Sequence, residues 1–345
     1  MCATVAVGLS GGVDSLATVL LLREQGYNVV GIHLQLWKEG NCEEVARLCE
    51  RLQIEWVCYD GRAAFRERVV DSFVKEYLAG RTPNPCTVCN NLVKWNLLAE
   101  AASALGIEKL ATGHYVRIVR EPPGWYIKKG EDVHKDQSYF LWGLKQDVLS
   151  RTLTPLGVYT KMQVKAYAES QGYGEIARNR ESMGICFLEG KNYRDFIRYC
   201  CSDPLLMQEG DIVDGAGCIV GRHTGLLNYT IGQKKDMPLC DGQPLYVAGI
   251  DARHNRIIAG SKQELYRSQL VVSDVNFVCP EEICAENITV KVRGLGLNPE
   301  GYAALERQPD SSVRVRLSSP AWAVAPGQPV VFYRNDLLIG GGIAR

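Results

Sequence analysis

Gly8-Leu9-Ser10-Gly11-Gly12-Val13-Asp14-Ser15 is the stretch that decides how this chain is read. An apolar, β-branched run from Thr4 to Val7 precedes it, and Leu16, Val19, Leu20 and Leu22 follow at amphipathic spacing. The pattern predicts a buried strand, a tight turn and a helix start. Gly11-Gly12 lets a ligand approach the backbone with no Cβ in the way. The N–H groups beyond it open a helix whose N-terminal dipole favours an anion. Ser10 and Ser15 add hydroxyls, and Asp14 is placed to hold a magnesium ion bridging phosphate oxygens. The stretch reads as a polyphosphate cradle. It lacks the Gly-Lys-Ser/Thr ending of a Walker loop and the spaced glycines of a dinucleotide turn. A Gly-Gly turn that binds nothing is the bland alternative, against which the flanking serines and the acid weigh.

Outward from this loop, strand and helix patterns alternate. An apolar strand runs from Val29 to Leu34, a helix from Cys42 to Gln53 and a short strand from Trp56 to Tyr59. Helices around Phe65–Leu78 and Leu92–Leu105 and a strand from Lys109 to Thr112 follow. Such alternation builds a parallel sheet with helices on both faces. Ligands then bind at the carboxyl ends of the strands, where the glycine loop, Leu34 and Thr112-Gly113-His114 fall. Tyr115–Val119 and Trp125–Lys128 flank Pro122-Pro123-Gly124 as a hairpin. Near Lys191 the pattern changes to a short helix (Tyr193–Cys201) and a glycine-rich stretch. From Leu270 onward short alternating strands predict a small antiparallel barrel or sandwich.

Length and composition bound the rest. The 345 residues suffice for two or three cored domains, and no apolar run reaches membrane-spanning length. With no signal segment ahead of the first strand, thirteen cysteines point to a reducing cytoplasm and free thiols. Cys2, Cys42, Cys49, Cys58, Cys200, Cys201 and Cys218 read as small core hydrophobes. The formal net charge is zero, so any contact with nucleic acid needs local positive charge. Arg178, Arg180, Lys191, Arg194 and Arg198 form one group of cations, and Arg222, His223, Lys234 and Lys235 another. On charge alone each is a solvated face.

A second constellation lies downstream. Gly80-Arg81-Thr82-Pro83-Asn84-Pro85 is a stiff loop that delivers Cys86-Thr87-Val88-Cys89-Asn90 at a helix start. A helix N-terminus lowers thiol pKa, which makes Cys86 and Cys89 candidate reactive thiols. Far along the chain, Ser182-Met183-Gly184-Ile185-Cys186-Phe187 supplies another cysteine. Half a zinc site, a redox pair and coincidence compete for the Cys-x-x-Cys, and Cys186 alone is more often packing than chemistry.

The hexapeptide Ser10–Ser15 resembles the loop of the ATP-pyrophosphatase (PP-loop) superfamily, which implies AMP-forming activation of a substrate oxygen. Further strings occur in order: Gly80–Pro85 with Cys89-Asn90, Ala111-Thr112-Gly113-His114-Tyr115, Lys135-Asp136-Gln137-Ser138-Tyr139-Phe140-Leu141, Gly184–Phe187, Thr230-Ile231-Gly232-Gln233-Lys234-Lys235 and Pro326-Gly327-Gln328. Together they resemble the bacterial tRNA-specific 2-thiouridylases (tRNA-uridine 2-sulfurtransferases), from Gly8 to about Gly342. The resemblance implies an α/β fold: a parallel-sheet PP-loop ATP-binding domain over 1–192, a small central tRNA-binding domain over 193–266 and a C-terminal antiparallel β-barrel over 267–345. It implies ATP and Mg²⁺, a tRNA substrate, and a sulfur-donor protein such as a cysteine desulfurase or sulfur relay.

By position, the resemblance makes Cys186 the persulfide carrier and Cys89 the nucleophile. It gives Gly8, Leu9, Ser10, Gly11, Gly12, Val13, Asp14, Ser15, Leu34 and Gly113 to ATP, and Asn84, Pro85 and Cys86 to the target base. His114, Lys135, Asp136, Gln137, Arg293 and Gln328 fall to tRNA contacts. Trp37, Tyr115 or Tyr139 would stack on an extruded uridine. Two departures stand out. Cys86 occupies a position where part of the family has Asp, and Arg293-Gly294 stands where many relatives have Arg-Tyr. Cys86, Cys89 and Cys186 also make the three-thiolate set that holds a [4Fe–4S] cluster in related tRNA thiolases, an alternative to the persulfide. Two further alternatives are another AMP-forming PP-loop synthetase, which needs no thiols, and a non-catalytic RNA-binding module, which needs no glycine loop.

Overall fold

The glycine loop sits at the carboxyl edge of a five-stranded parallel sheet. The computed structural model describes residues 2–37, 42–179, 184–201, 207–294 and 296–345; Arg180, Ser182 and Met183 of the sequence reading lie outside them. Strands β1 (Thr4–Gly8), β2 (Asn28–Gln35), β3 (Glu55–Asp60), β4 (Lys109–Ala111) and the two-residue strand Thr152–Leu153 pair in the order β3-β2-β1-β4-Thr152, all parallel. Alternation along β1 sends Val5 and Val7 to one face and Ala6 to the other, all three fully buried. Helices α1 (Val13–Glu24), α2 (Cys42–Leu52) and Lys161–Ser170 cover the first face. The helical segment Trp95–Ala104 covers the second. A sheet buried on both sides reads as continuous apolar runs.

Two helical stretches each contain a π-turn. Residues 62–78 carry one at Arg66–Asp71, and residues 85–104 carry one at Asn90–Lys94. Such turns concentrate at functional sites. The second directly follows Cys89.

The expected hairpin forms as β5 (Val116–Glu121) and β6 (Gly124–Lys129), and it belongs to the C-terminal unit as much as to the first. Leu337 and Leu338 pair with Lys128 and Ile127. The hairpin thus extends a six-stranded barrel made of Tyr266–Phe277, Ile288–Lys291, Ala303–Arg307, Val313–Trp322, Pro329–Arg334 and Leu337–Ala344. Pairing of the first of these strands with the last, Val272 opposite Ala344, closes the barrel. The glycine-rich middle of the chain is a four-stranded sheet of Gly210–Val213, Ile219–His223, Tyr246–Asp251 and Arg256–Gly260. Its strands are too short to register as periodic runs.

Several cysteines correct the sequence reading. Of the seven taken as core hydrophobes only Cys49 is buried; Cys2, Cys58 and Cys218 are exposed, and Cys42, Cys200 and Cys201 are half-buried. Cys58 lies on β3, the sheet's edge strand, and Cys218 precedes a hairpin strand, so strand pattern alone did not fix what covers them. All thirteen cysteines are free thiols.

A buried carboxylate fastens the hairpin to the barrel. Tyr126 of β6 donates its hydroxyl to Glu282 at 2.7 Å, and Arg334 donates Nε and Nη2 to the same carboxylate at 3.2 and 3.0 Å. Glu282→Ala leaves a fully buried Tyr126 hydroxyl and a two-thirds-buried guanidinium without this partner. We expect a loss of about 2 kcal/mol, read as a lower urea midpoint of the cooperative transition.

Candidate functional site

Hydroxyl bonds shape the glycine loop before any ligand arrives. Gly11 takes a positive φ of 80° and Gly12 caps α1 in extended conformation. Ser15 donates its hydroxyl to the Gly12 carbonyl (2.9 Å) and accepts the Ser10 N–H (3.2 Å). Ser10 Oγ accepts the Gly12 N–H at 3.4 Å. The loop opens on a cavity of about 350 Å³ lined by Gly8, Leu9, Ser10, Asp14 and Ser15, by Leu34 of β2, and by Gly113 and His114 beyond β4. Lys94, Trp95 and Gln137 complete the far wall. The loop, Leu34 and Gly113 are thus brought to one cavity at the strand ends. Gly113 is required by close approach: a Cβ there would lie 2.9 Å from the Asp14 backbone carbon.

Asp14 departs from its expected role. Lys161 Nζ stands 2.8 Å from both carboxylate oxygens, and Tyr115 donates its hydroxyl to Oδ1 at 2.7 Å. Asp14 is the only carboxylate among the described residues lining the cavity, and a lysine ammonium already neutralises it. In this arrangement it does not fit as a magnesium ligand, because a cation facing the same oxygens repels the metal. Sequence reasoning missed Lys161. Its signal was a basic residue in the first turn of a helix with a Thr160–Gln163 capping box, where the dipole disfavours positive charge.

The thiols converge through packing. Cys89 is buried in an apolar cluster that also holds Phe65, Phe73 and Phe187. Phe187 packs edge-on against Phe73 with ring centroids 5.2 Å apart, and against Phe65 at 6.0 Å. It thereby seats the short helical turn Cys186–Leu188, leaving Cys186 exposed. The charge of Cys186 is felt at both Cys86 and Cys89. The helix-dipole expectation for these thiols fails: burial raises Cys86 and pushes Cys89 up to about 11, with Lys94 opposing. Desolvation of a thiolate outweighs a partial charge at a helix end. Among the described residues no three His, Cys, Asp or Glu side chains are grouped to hold a metal, so Cys86, Cys89 and Cys186 do not fit a cluster as ligands in this arrangement.

Asn84 Oδ1 accepts the Cys86 and Thr87 N–H groups at 3.2 and 3.4 Å, capping the helix that Pro85 begins. The loop before it joins all three units. Thr82 donates its N–H to the Pro326 carbonyl (2.8 Å), Gln328 donates Nε2 to the Thr82 carbonyl (2.6 Å), and Gly80 abuts Ile250. Asn84, Gln328, Arg293 and Thr230–Gln233 line one groove of about 590 Å³.

The remaining positions divide. Gln137 faces the first cavity and accepts the Tyr115 N–H at 3.0 Å. Asp136 is turned inward, its carboxylate bound to Ser138 and paired with Lys291 at 3.2 Å. The Lys135 N–H donates to the Asp132 carbonyl. The Arg293 guanidinium donates to the Trp322 and Ala323 carbonyls. Tyr115 and Tyr139 are buried with their hydroxyls engaged, and Trp37 packs among Phe65, Phe187 and Phe196, so none of the three is an open stacking platform. Arg178, Arg198 and Arg222 pair with Glu169, Asp195 and Asp211 and stay exposed, as solvated faces.

Loop, sheet and cavity define a PP-loop nucleotide-binding enzyme domain joined to two β-rich units. The chain matches the family models for a tRNA methyl transferase HUP domain (residues 3–190), PRC-barrel domain (198–261) and an aminomethyltransferase β-barrel domain (267–344). It is 40% identical to tRNA-specific 2-thiouridylase MnmA 3 of Bacteroides fragilis, over 98% of this chain and 92% of that one. It is 37% identical to tRNA-specific 2-thiouridylase MnmA 1 of Clostridium botulinum, over 98% of both. With the Acidithiobacillus ferrooxidans MnmA the identity is 38%, over 97% and 96%. The chain belongs to the tRNA-specific 2-thiouridylase family.

Two outcomes follow from the cavity walls. Gly113→Ala drives a methyl into the Asp14 backbone and is expected to raise the KM for ATP roughly tenfold, measured by AMP formation. His114, stacked on Trp95 with Nδ1 2.7 Å from Thr112 Oγ1, is pushed down to about 3 by burial and then by Lys94. The unfolded chain takes up this proton below about pH 6.5 while the folded chain refuses it. Stability attributable to His114 therefore falls as pH drops from about 6.5 toward 3. His114→Gln should flatten that part of the curve of urea midpoint against pH; an unchanged slope contradicts a neutral imidazole.

Proposed function

We propose that the chain installs sulfur at the 2-position of the wobble uridine of tRNA, using ATP supplied with Mg²⁺, in the cytoplasm. The observation that carries this reading is the pairing of a phosphate-cradling loop with two thiols drawn from distant segments into one neighbourhood. The family models carry a methyl-transferase label while the relatives are named thiouridylases. A polyphosphate cradle beside thiols suits adenylation and sulfur transfer, not methyl transfer.

In the first step the uridine O2 attacks the α-phosphorus, N3 gives up its proton, and pyrophosphate leaves with the electron pair. The adenylated oxygen has become a good leaving group. In the second, the terminal sulfur of a persulfide on Cys186, charged by a sulfur-donor protein, attacks C2 and AMP departs. The Cys89 thiolate then attacks Cys186 Sγ. The sulfur–sulfur bond to the base breaks, sulfur stays on C2, and the resulting Cys89–Cys186 disulfide is reopened by a dithiol reductant. The exposure of Cys186 supports loading by another protein, and burial of Cys89 supports a thiol that rests protonated between turnovers. Asn84, Pro85 and Cys86 meet the target base. His114, Lys135–Gln137, Arg293 and Gln328 serve the tRNA. For Asp136 and Arg293 this contribution is positioning of their segments, since their side chains are spent internally.

Purified protein given ATP, Mg²⁺ and tRNA should form 2-thiouridine from a persulfide donor with a dithiol reductant, and from free sulfide by direct attack of HS⁻ on the adenylated C2 as AMP leaves. Cys186→Ser should retain tRNA-dependent AMP release and lose transfer from a persulfide donor. Equal loss of both steps contradicts this division of labour. Visible charge-transfer absorbance after anaerobic purification with iron and sulfide, lost in Cys86→Ser, favours the [4Fe–4S] route instead.

A further inference from the structure

Lys94 is the one lysine or arginine lining the nucleotide cavity, and no hydrogen bond or ion pair holds its ammonium among the described residues. Lys161, which reaches the loop at Asp14, is committed to that carboxylate. An unspent cation at the wall of a phosphate-binding cavity is an electrostatic resource.

The backbone has been altered to put it there. Lys94 ends the π-turn Asn90–Lys94, five positions after Cys89. In a regular α-helix that spacing separates two side chains by about 140°. The wider turn brings them back toward one face. Three buried polar atoms without a protein partner cluster in the same segment: Asn90 Oδ1, Asn91 Nδ2 and Trp95 Nε1. Buried polar groups are rarely left unpaired for packing alone. Lys94 and His114 line the same cavity, and the ammonium's field reaches His114 as well as Cys86 and Cys89. Lys94 thus shares a cavity with the phosphate cradle and a helical segment with Cys89.

We propose that Lys94 is a catalytic residue of adenylation, its ammonium contacting the α-phosphoryl oxygens as charge builds there. The inference rests on the function proposed above. The O2–Pα bond forms as the bond from Pα to the bridging oxygen breaks, and pyrophosphate takes the electron pair. Lys94 keeps its proton throughout. The same ammonium then faces the departing AMP.

The test is tRNA-dependent AMP release by the full-length protein with ATP and Mg²⁺, comparing wild type with Lys94→Met, Lys94→Gln and Lys94→Arg. Removing one preorganised charge at a transition state costs about 10²–10³-fold in kcat. We expect that loss in Lys94→Met and Lys94→Gln, with the KM for ATP moving less than about threefold, and recovery to within about tenfold of wild type in Lys94→Arg. The side chain is exposed, so an unchanged thermal midpoint in Lys94→Gln separates chemistry from folding. If wild type releases AMP and Lys94→Gln matches it, the role of Lys94 is overturned and the proposed function stands. A loss shared equally between kcat and KM, with no recovery in Lys94→Arg, also overturns it, as a structural effect. Absence of tRNA-dependent AMP release in wild type sinks both readings.

Discussion

Packing of Phe187 against Phe65 and Phe73 is the contact on which the meeting of the two thiol segments depends. The two thiols belong to segments with no shared strand or helix, and no hydrogen bond or ion pair joins them among the described residues. What holds the Cys186 turn beside the Cys89 helix is an apolar cluster with edge-to-face rings. Burial supplies the driving force, and the ring quadrupoles supply orientation. A buried aromatic also tolerates exposure of its neighbour, so Cys186 reaches solvent while Phe187 is 3% exposed. The same cluster takes in residues of the central sheet, among them Val247 and Ile257. The thiols therefore sit on a core shared between units.

Electrostatics pull the other way from packing. Burial makes a thiolate costly, and Cys89 rests as a thiol with its pKa at about 11. Lys94 opposes that cost without cancelling it. This balance keeps Cys89 out of the permanently ionised form, which is the one most readily oxidised. At the phosphate loop the balance is reversed. There Asp14 is already compensated by Lys161 and Tyr115, so the loop presents backbone N–H groups and hydroxyls rather than net negative charge to an incoming polyphosphate.

Local signals carried the first unit. The β1–loop–α1 sequence has its strand pattern, glycines and helix pattern in unbroken succession, and the parallel sheet follows from repeated alternation. Four barrel strands from Ile288 onward were equally readable, whereas Ala303–Arg307 was not. Long-range features were not. That β5 and β6 extend the barrel depends on the pairing of Lys128 with Leu337, which no local pattern announces. Lys161 meets Asp14 only because its helix folds over α1. Cys58 reads as core from its strand, yet whether a strand is central or at an edge is settled by its neighbours. The thiol pKa values were misjudged for the same reason: a helix dipole is visible in sequence, whereas depth of burial is not.

The neutral overall charge becomes intelligible once the cations are traced to their partners. Arg81 is paired with Glu76, Lys291 with Asp136, and Arg334 with Glu282, while Arg293 caps two carbonyls. Most of these join one structural unit to another or brace a loop that lines the groove. The positive charge of these four is spent on geometry. Arg293 is the one lysine or arginine among the described residues lining the groove, so on the function proposed above the groove's shape counts for more than its charge. Arg293 illustrates the exchange. Fixed against Trp322 and Ala323, it helps form the groove wall that Asn84 and Gln328 share.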